Sequence, residues 1–61
     1  MNKQERQRAL RRLMREREWS SNWVGDLLGV HEVTVRNWAR GKFAIPKRQL
    51  AKLESINAQP M

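Results

Sequence analysis

The chain contains no cysteine and no tyrosine, and its 61 residues include one histidine, one phenylalanine and two prolines. Without cysteine it can form neither a disulfide framework nor a thiolate zinc site. A lone histidine cannot complete a metal site, so no metal is expected. There are no paired carboxylates on a shared face and no phosphate-cradling glycine loop, so neither catalysis, a cofactor nor a small-molecule substrate is expected. No apolar run approaches the roughly 20 residues that cross a bilayer, and no signal peptide is visible. A cytoplasmic protein is the expectation. Acidic residues are also scarce. Thirteen Lys and Arg face six Asp and Glu, for a net charge of +7 and an isoelectric point near 11.5.

That excess favours polyanions, either nucleic acid or an anionic membrane surface. Its distribution is uneven. Residues 33–53 carry six basic groups (Arg36, Arg40, Lys42, Lys47, Arg48, Lys52) and no acidic one. Residues 19–32 are net negative. A membrane-surface helix would need one long amphipathic rod, whereas Gly29, Gly41 and Pro46 cut the chain into short segments. No membrane association is expected.

The spacing predicts four helices, or four and a short fifth, in an all-α domain over residues 1–56 with a frayed tail from Asn57 to Met61. The first helix is expected from about Lys3 to Glu18. Asn2 and Glu5 have the capping-box spacing. Leu10, Leu13 and Met14, with Ala9 beside them, form an apolar stripe at helical period. Arg8, Arg11, Arg12 and Arg15 form a ridge on the other side. The ridge reads as a solvated face, as a phosphate-contacting face or as an arginine-rich RNA-binding helix. Weak surface pairs are expected between Arg12 and Glu16 and between Glu5 and Arg8.

A second helix should begin at Ser20, a side-chain acceptor for free backbone N–H groups. Trp19 and Val24 have the spacing of a hydrophobic staple. Val24, Leu27 and Leu28 face inward, and Gly29 ends the helix. Gly25 is costly in mid-helix, by about 1 kcal/mol against alanine, which suggests a neighbour crossing too closely for a side chain. A third helix should run from Glu32 to Ala39 with His31 near its cap. Thr34, Val35 and Trp38 fall on one side. Val33, Arg36, Asn37 and Arg40 fall on the other, at i, i+3, i+4 and i+7. The stretch Lys42–Ile45 reads as loop, and Pro46 suits the first turn of a fourth helix with Leu50, Leu53 and Ile56 inward. Val24, Leu28, Val30, Val35 and Trp38 would close a small core.

Residues 20–56 resemble the phage repressor and Cro-type (XRE-like) helix-turn-helix family. The residues that carry the likeness are Leu28-Gly29-Val30, Thr34-Val35, Trp38 and Gly41-Lys42, followed by Pro46, Leu50 and Leu53. The resemblance implies a motif over 20–41 whose second helix enters the major groove of double-stranded DNA. It implies a transcriptional regulator, a repressor bound as a homodimer to a pseudo-palindromic operator in a bacterial or phage-infected cell. It implies base contacts from Glu32, Val33, Arg36 and Asn37. The side chains suit that role: Arg36 matches guanine, Asn37 adenine, Glu32 the cytosine amine and Val33 the thymine methyl. Ser21, His31, Arg40, Lys42 and Lys47 would hold phosphates. Glu32 reads equally well as a helix-dipole partner. His31 stands where the family has Ser or Thr, and Trp23 where it has a polar residue. Trp23 with Trp19 therefore also reads as a contact surface for a protein partner, making the chain an interaction module. An accessory role in DNA architecture or recombination is a third reading.

Overall fold

A computed structural model describes residues 2–59; Pro60 and Met61, in the expected frayed tail, lie outside the described residues, as does Met1. Four helices follow in order: α1 (Lys3–Glu16), α2 (Ser21–Leu28), α3 (Glu32–Ala39) and α4 (Lys47–Asn57). No strand and no fifth helix occur among the described residues. The fold is all-α. Its radius of gyration is 10.5 Å, matching the ~10.5 Å expected of a folded chain this long.

Each helix starts and stops where local chemistry dictates. The Asn2 side chain accepts from the Glu5 N–H at 2.8 Å, satisfying one of the orphan donors of α1. The first helix was expected to reach Glu18 but ends at Glu16. The Trp19 N–H donates to Met14 O at 2.9 Å and the Glu18 N–H to Arg15 O at 3.4 Å. These two bonds are the Schellman pattern, and they require Glu18 to be left-handed, at φ 55°. Glycine usually fills such a position, so its absence hid the stop.

Ser20 caps α2, accepting from the Trp23 N–H at 3.0 Å. The helix proper thus begins one residue later than expected, at Ser21. It ends at Gly29, whose φ of 74° is left-handed, and the Val30 N–H reaches back to Gly25 O at 2.9 Å. His31 caps α3, with its Nδ1 accepting from the Val33 N–H at 3.1 Å. Pro46 was expected inside the first turn of α4. It is instead the N-cap, because its ψ of 143° is not helical, and its carbonyl accepts from the Gln49 and Leu50 N–H groups.

All four helices contribute to one core, with α1 packed on both α3 and α4 and α2 packed on α3. Leu10, Leu13, Val24, Val35, Ile45 and Leu53 are fully enclosed. Ala9, Leu28, Trp38 and Leu50 complete the buried set. The inward sets expected from helical period are thus buried at Leu10, Leu13, Val24, Leu28, Val35, Leu50 and Leu53, while Met14, Leu27, Val30 and Ile56 are half-buried. Ile45 is the correction. Read as loop, it is 1% exposed and plugs the core from an irregular segment. Trp19 packs against the core as a staple residue would, and its ring stacks on Trp23 with centroids 5.0 Å apart.

Candidate nucleic-acid interface

The second helix of the motif is held at three points. Gly25 lies beneath it: a Cβ built there would meet Val30 O at 2.6 Å and Glu32 N at 3.3 Å. The close crossing inferred from a mid-helix glycine is therefore present. Val35 and Trp38 anchor the inner face of α3, at 0% and 6% exposure. At the far end the Gln7 side-chain amide of α1 donates to Ala39 O at 3.0 Å. These contacts fix the rotation of α3 about its axis, which decides which side chains face out.

The outward row is the expected one. Val33 is 48% exposed, Arg36 and Arg40 are exposed, and Asn37 and Glu32 are half-buried. Two side-chain pairs organise the row. Arg36 Nη2 donates to Glu32 Oε2 at 3.2 Å. Arg40 Nη2 donates to Asn37 Oδ1 at 3.1 Å. The first pair is solvent-facing and adds little stability by itself, on the order of 0.3–0.5 kcal/mol. Its consequence is geometric, because Glu32 and Arg36 present as one unit of opposite charges. The second pair fixes the Asn37 amide, directing its NH₂ away from Arg40 and leaving Oδ1 a second lone pair.

The residues expected on phosphates divide into separate places. Ser21 and Arg40 line an open groove of about 370 Å³ together with Arg36, Ala39 and Arg11 of α1. Lys47 lines a second groove of about 280 Å³ with Arg6, Leu50, Ala51 and Glu54. Arg6 Nε is buried there without a hydrogen-bond partner. Lys42 is exposed, with its Nζ 5.7 Å from the centroid of the Phe43 ring. His31 is exposed and already uses Nδ1 on its own helix, so only its Nε2 edge is open to a ligand.

Three residues escaped the sequence reading. Arg11 was grouped with the ridge Arg8, Arg12 and Arg15, yet it alone of these lines the groove beside α3. Phe43 is 56% exposed, and only its place beside Lys42 in an irregular segment hinted at it. Arg6 had no signal beyond its charge. Of the expected helix-one pairs, Arg12 and Glu16 approach to 3.9 Å, whereas Glu5 and Arg8 form no ion pair. Trp23, whose exposure the sequence left open, is 42% exposed.

Among the described residues no helix is long and apolar enough to cross a membrane, and no group of His, Cys, Asp or Glu is arranged to hold a metal ion. No family model, curated protein or solved structure matches this chain significantly.

Proposed function

We propose that this chain is a sequence-specific DNA-binding regulator that inserts α3 into the major groove of duplex DNA. The observation that carries the reading is the combination on one short helix of an exposed row, Val33, Arg36, Asn37 and Arg40, with a rigidly seated inner face. With its side chains an α-helix is about 10–12 Å across, close to the major-groove width of ≈ 12 Å. Val33 then packs on a thymine methyl and Asn37 pairs with adenine, while the Glu32–Arg36 unit spans a G·C pair, Arg36 on guanine and Glu32 on the cytosine amine. Ser21, Arg40, Lys42, Lys47 and His31 hold the backbone and set the register. An interface this small gains useful specificity by acting twice, so the functional unit is a homodimer on a pseudo-palindromic operator with half-sites about 10 bp apart. Occupying a promoter in this way represses transcription, in the cytoplasm of a bacterial or phage-infected cell.

Selection from a random duplex library at near-physiological salt tests this directly. The expected pool is enriched for an inverted repeat. A pool bound in a salt-sensitive manner without any enriched motif would refute sequence-specific regulation.

The exposed indole of Trp23, stacked on Trp19, supports a second reading, a protein-interaction module on the same scaffold. Trp23→Ala would then abolish capture of a partner while leaving duplex binding intact.

A further inference from the structure

Three arginines from two different helices border one groove. Arg36 and Arg40 come from α3, Arg11 comes across from α1, and the Ser21 hydroxyl lies at the start of α2. We infer that this groove is a phosphate-binding site whose arms are Arg40, Ser21 and Arg11, with Arg36 at its edge held by Glu32. The inference rests on the reading of the chain as a DNA binder and adds to it a helix that the motif alone does not include.

Charge supports this. No carboxylate lines the groove. Glu32 pairs with Arg36, which leaves two of the three positive charges without a counter-charge. Arg11 makes no ion pair and no side-chain hydrogen bond among the described residues, although its guanidinium offers five donors. Clustering like charges without a counter-ion is unfavourable, and a bound oxyanion removes the repulsion while using the forked donors bidentately.

Geometry agrees. The groove of about 370 Å³ is open to solvent, with room for a phosphate group that keeps part of its hydration. The Ser20 hydroxyl accepts from the Trp23 N–H and its carbonyl from the Val24 N–H, so the Ser21 and Asn22 N–H groups are unpaired within the helix and carry the positive end of its dipole. The chemistry on offer is a hydroxyl, guanidinium forks and amide donors. Such a set takes a singly or doubly charged phosphate oxyanion, from the DNA backbone or free in solution.

The test has two arms. In the first, inorganic phosphate is titrated into the protein while the arginine side-chain Nε–H signals are followed by NMR. Arg11 and Arg40 should move together along one saturating curve, while Arg36, held by Glu32, should not follow it, and Arg11→Gln should abolish saturation at Arg40. In the second, the salt dependence of duplex binding is compared between wild type and Arg11→Gln. Each phosphate contact adds about 0.9 to the slope of log K against log salt, so the variant should be shallower by about one, equally for all sequences. Arg11→Lys keeps the charge but not the fork, and should retain the slope while weakening the phosphate titration.

Saturable phosphate binding with an unchanged duplex slope assigns the site to a free phosphate rather than to the DNA backbone. Linear, independent shifts that are the same in Arg11→Gln, together with an unchanged slope, overturn the site. The phosphate arm contains no DNA. Failure of the wild type to bind any duplex would therefore refute the proposed function and leave this site standing on its own titration.

Discussion

Replacing Gly25 by alanine isolates the contact that seats α3. Two effects oppose each other. Alanine favours a helix interior over glycine by about 1 kcal/mol, so an unobstructed site would be stabilised. Here the new Cβ would lie 2.6 Å from Val30 O, where ordinary van der Waals contact begins at 3.4 Å. The obstacle is backbone, not the end of a side chain, so no rotamer change relieves it. Moving Val30 O outward strains the turn whose Val30 N–H bonds to Gly25 O at 2.9 Å, and it pushes the start of α3 away with Glu32. Overpacking of this kind costs about 1–3 kcal/mol. Because the obstacle is backbone at 2.6 Å, the cost falls in the upper part of that range, about 2–3 kcal/mol, and against the propensity gain the net is a loss of about 1–2 kcal/mol. A domain of this size has roughly 3–9 kcal/mol in total. At ~4–8 °C per kcal/mol the midpoint should fall by roughly 5–15 °C in a thermal melt followed by circular dichroism. Gly25→Ser should be worse. Gly29 is the contrasting case, because a Cβ there meets nothing within 4 Å and only its φ of 74° resists substitution. Gly29→Asn should therefore be milder than Gly29→Ala, since asparagine tolerates the left-handed region. A Gly25→Ala protein that melts at or above wild type would refute the close crossing, because propensity alone would then have decided the outcome.

Other substitutions separate base contacts from backbone contacts and core from surface. Arg36→Ala should lose about 1–3 kcal/mol of discrimination at one base pair in competition binding, whereas Lys42→Ala should weaken all sequences alike and flatten the salt slope by about one. Glu18→Gly relieves a left-handed non-glycine residue and should raise stability by about 0.5–1 kcal/mol in urea unfolding; a loss would refute the Schellman ending of α1. Ile45→Ala removes a fully enclosed side chain and should cost about 2–5 kcal/mol, enough to leave much of the population unfolded at 37 °C.

What the sequence made legible follows from periodicity and from residues with one dominant local role. Ser20, Gly25 and Gly29 each have few alternatives, and each sits where spacing put it. The inward sets of α1, α2, α3 and α4 came from the 3.6-residue period, because a short helix has only one face it can bury. Glu18 and Ile45 were harder for opposite reasons. Glu18 adopts a glycine-like conformation without being glycine, so composition could not mark the helix end. Ile45 is buried from an irregular segment, and no period exists there to say which side chain turns inward. Trp23 was undecidable because an aromatic ring gains from either burial or stacking; stacking on Trp19 lets it remain 42% exposed.

The arginines of α1 show why grouping by helix face is too coarse for a site. At ~100° per residue, Arg8 and Arg15 lie opposite the apolar stripe, whereas Arg11 falls about 60° from Met14 at one border and Arg12 about 60° from Ala9 at the other. A side chain at a border reaches whatever packs on that side of the helix, whereas one on the outer face reaches only water. The neighbour on the Arg11 side is α3, and Arg11, Arg36 and Arg40 line the groove between them. The side of the apolar stripe that each flanks therefore predicts different outcomes for two chemically identical residues, Arg11 and Arg12. Arg12→Gln should leave the salt slope of duplex binding unchanged within error while Arg11→Gln shifts it by about one. Equal shifts from both would mean that the ridge acts as a diffuse cloud of charge, and that the groove has no privileged arm.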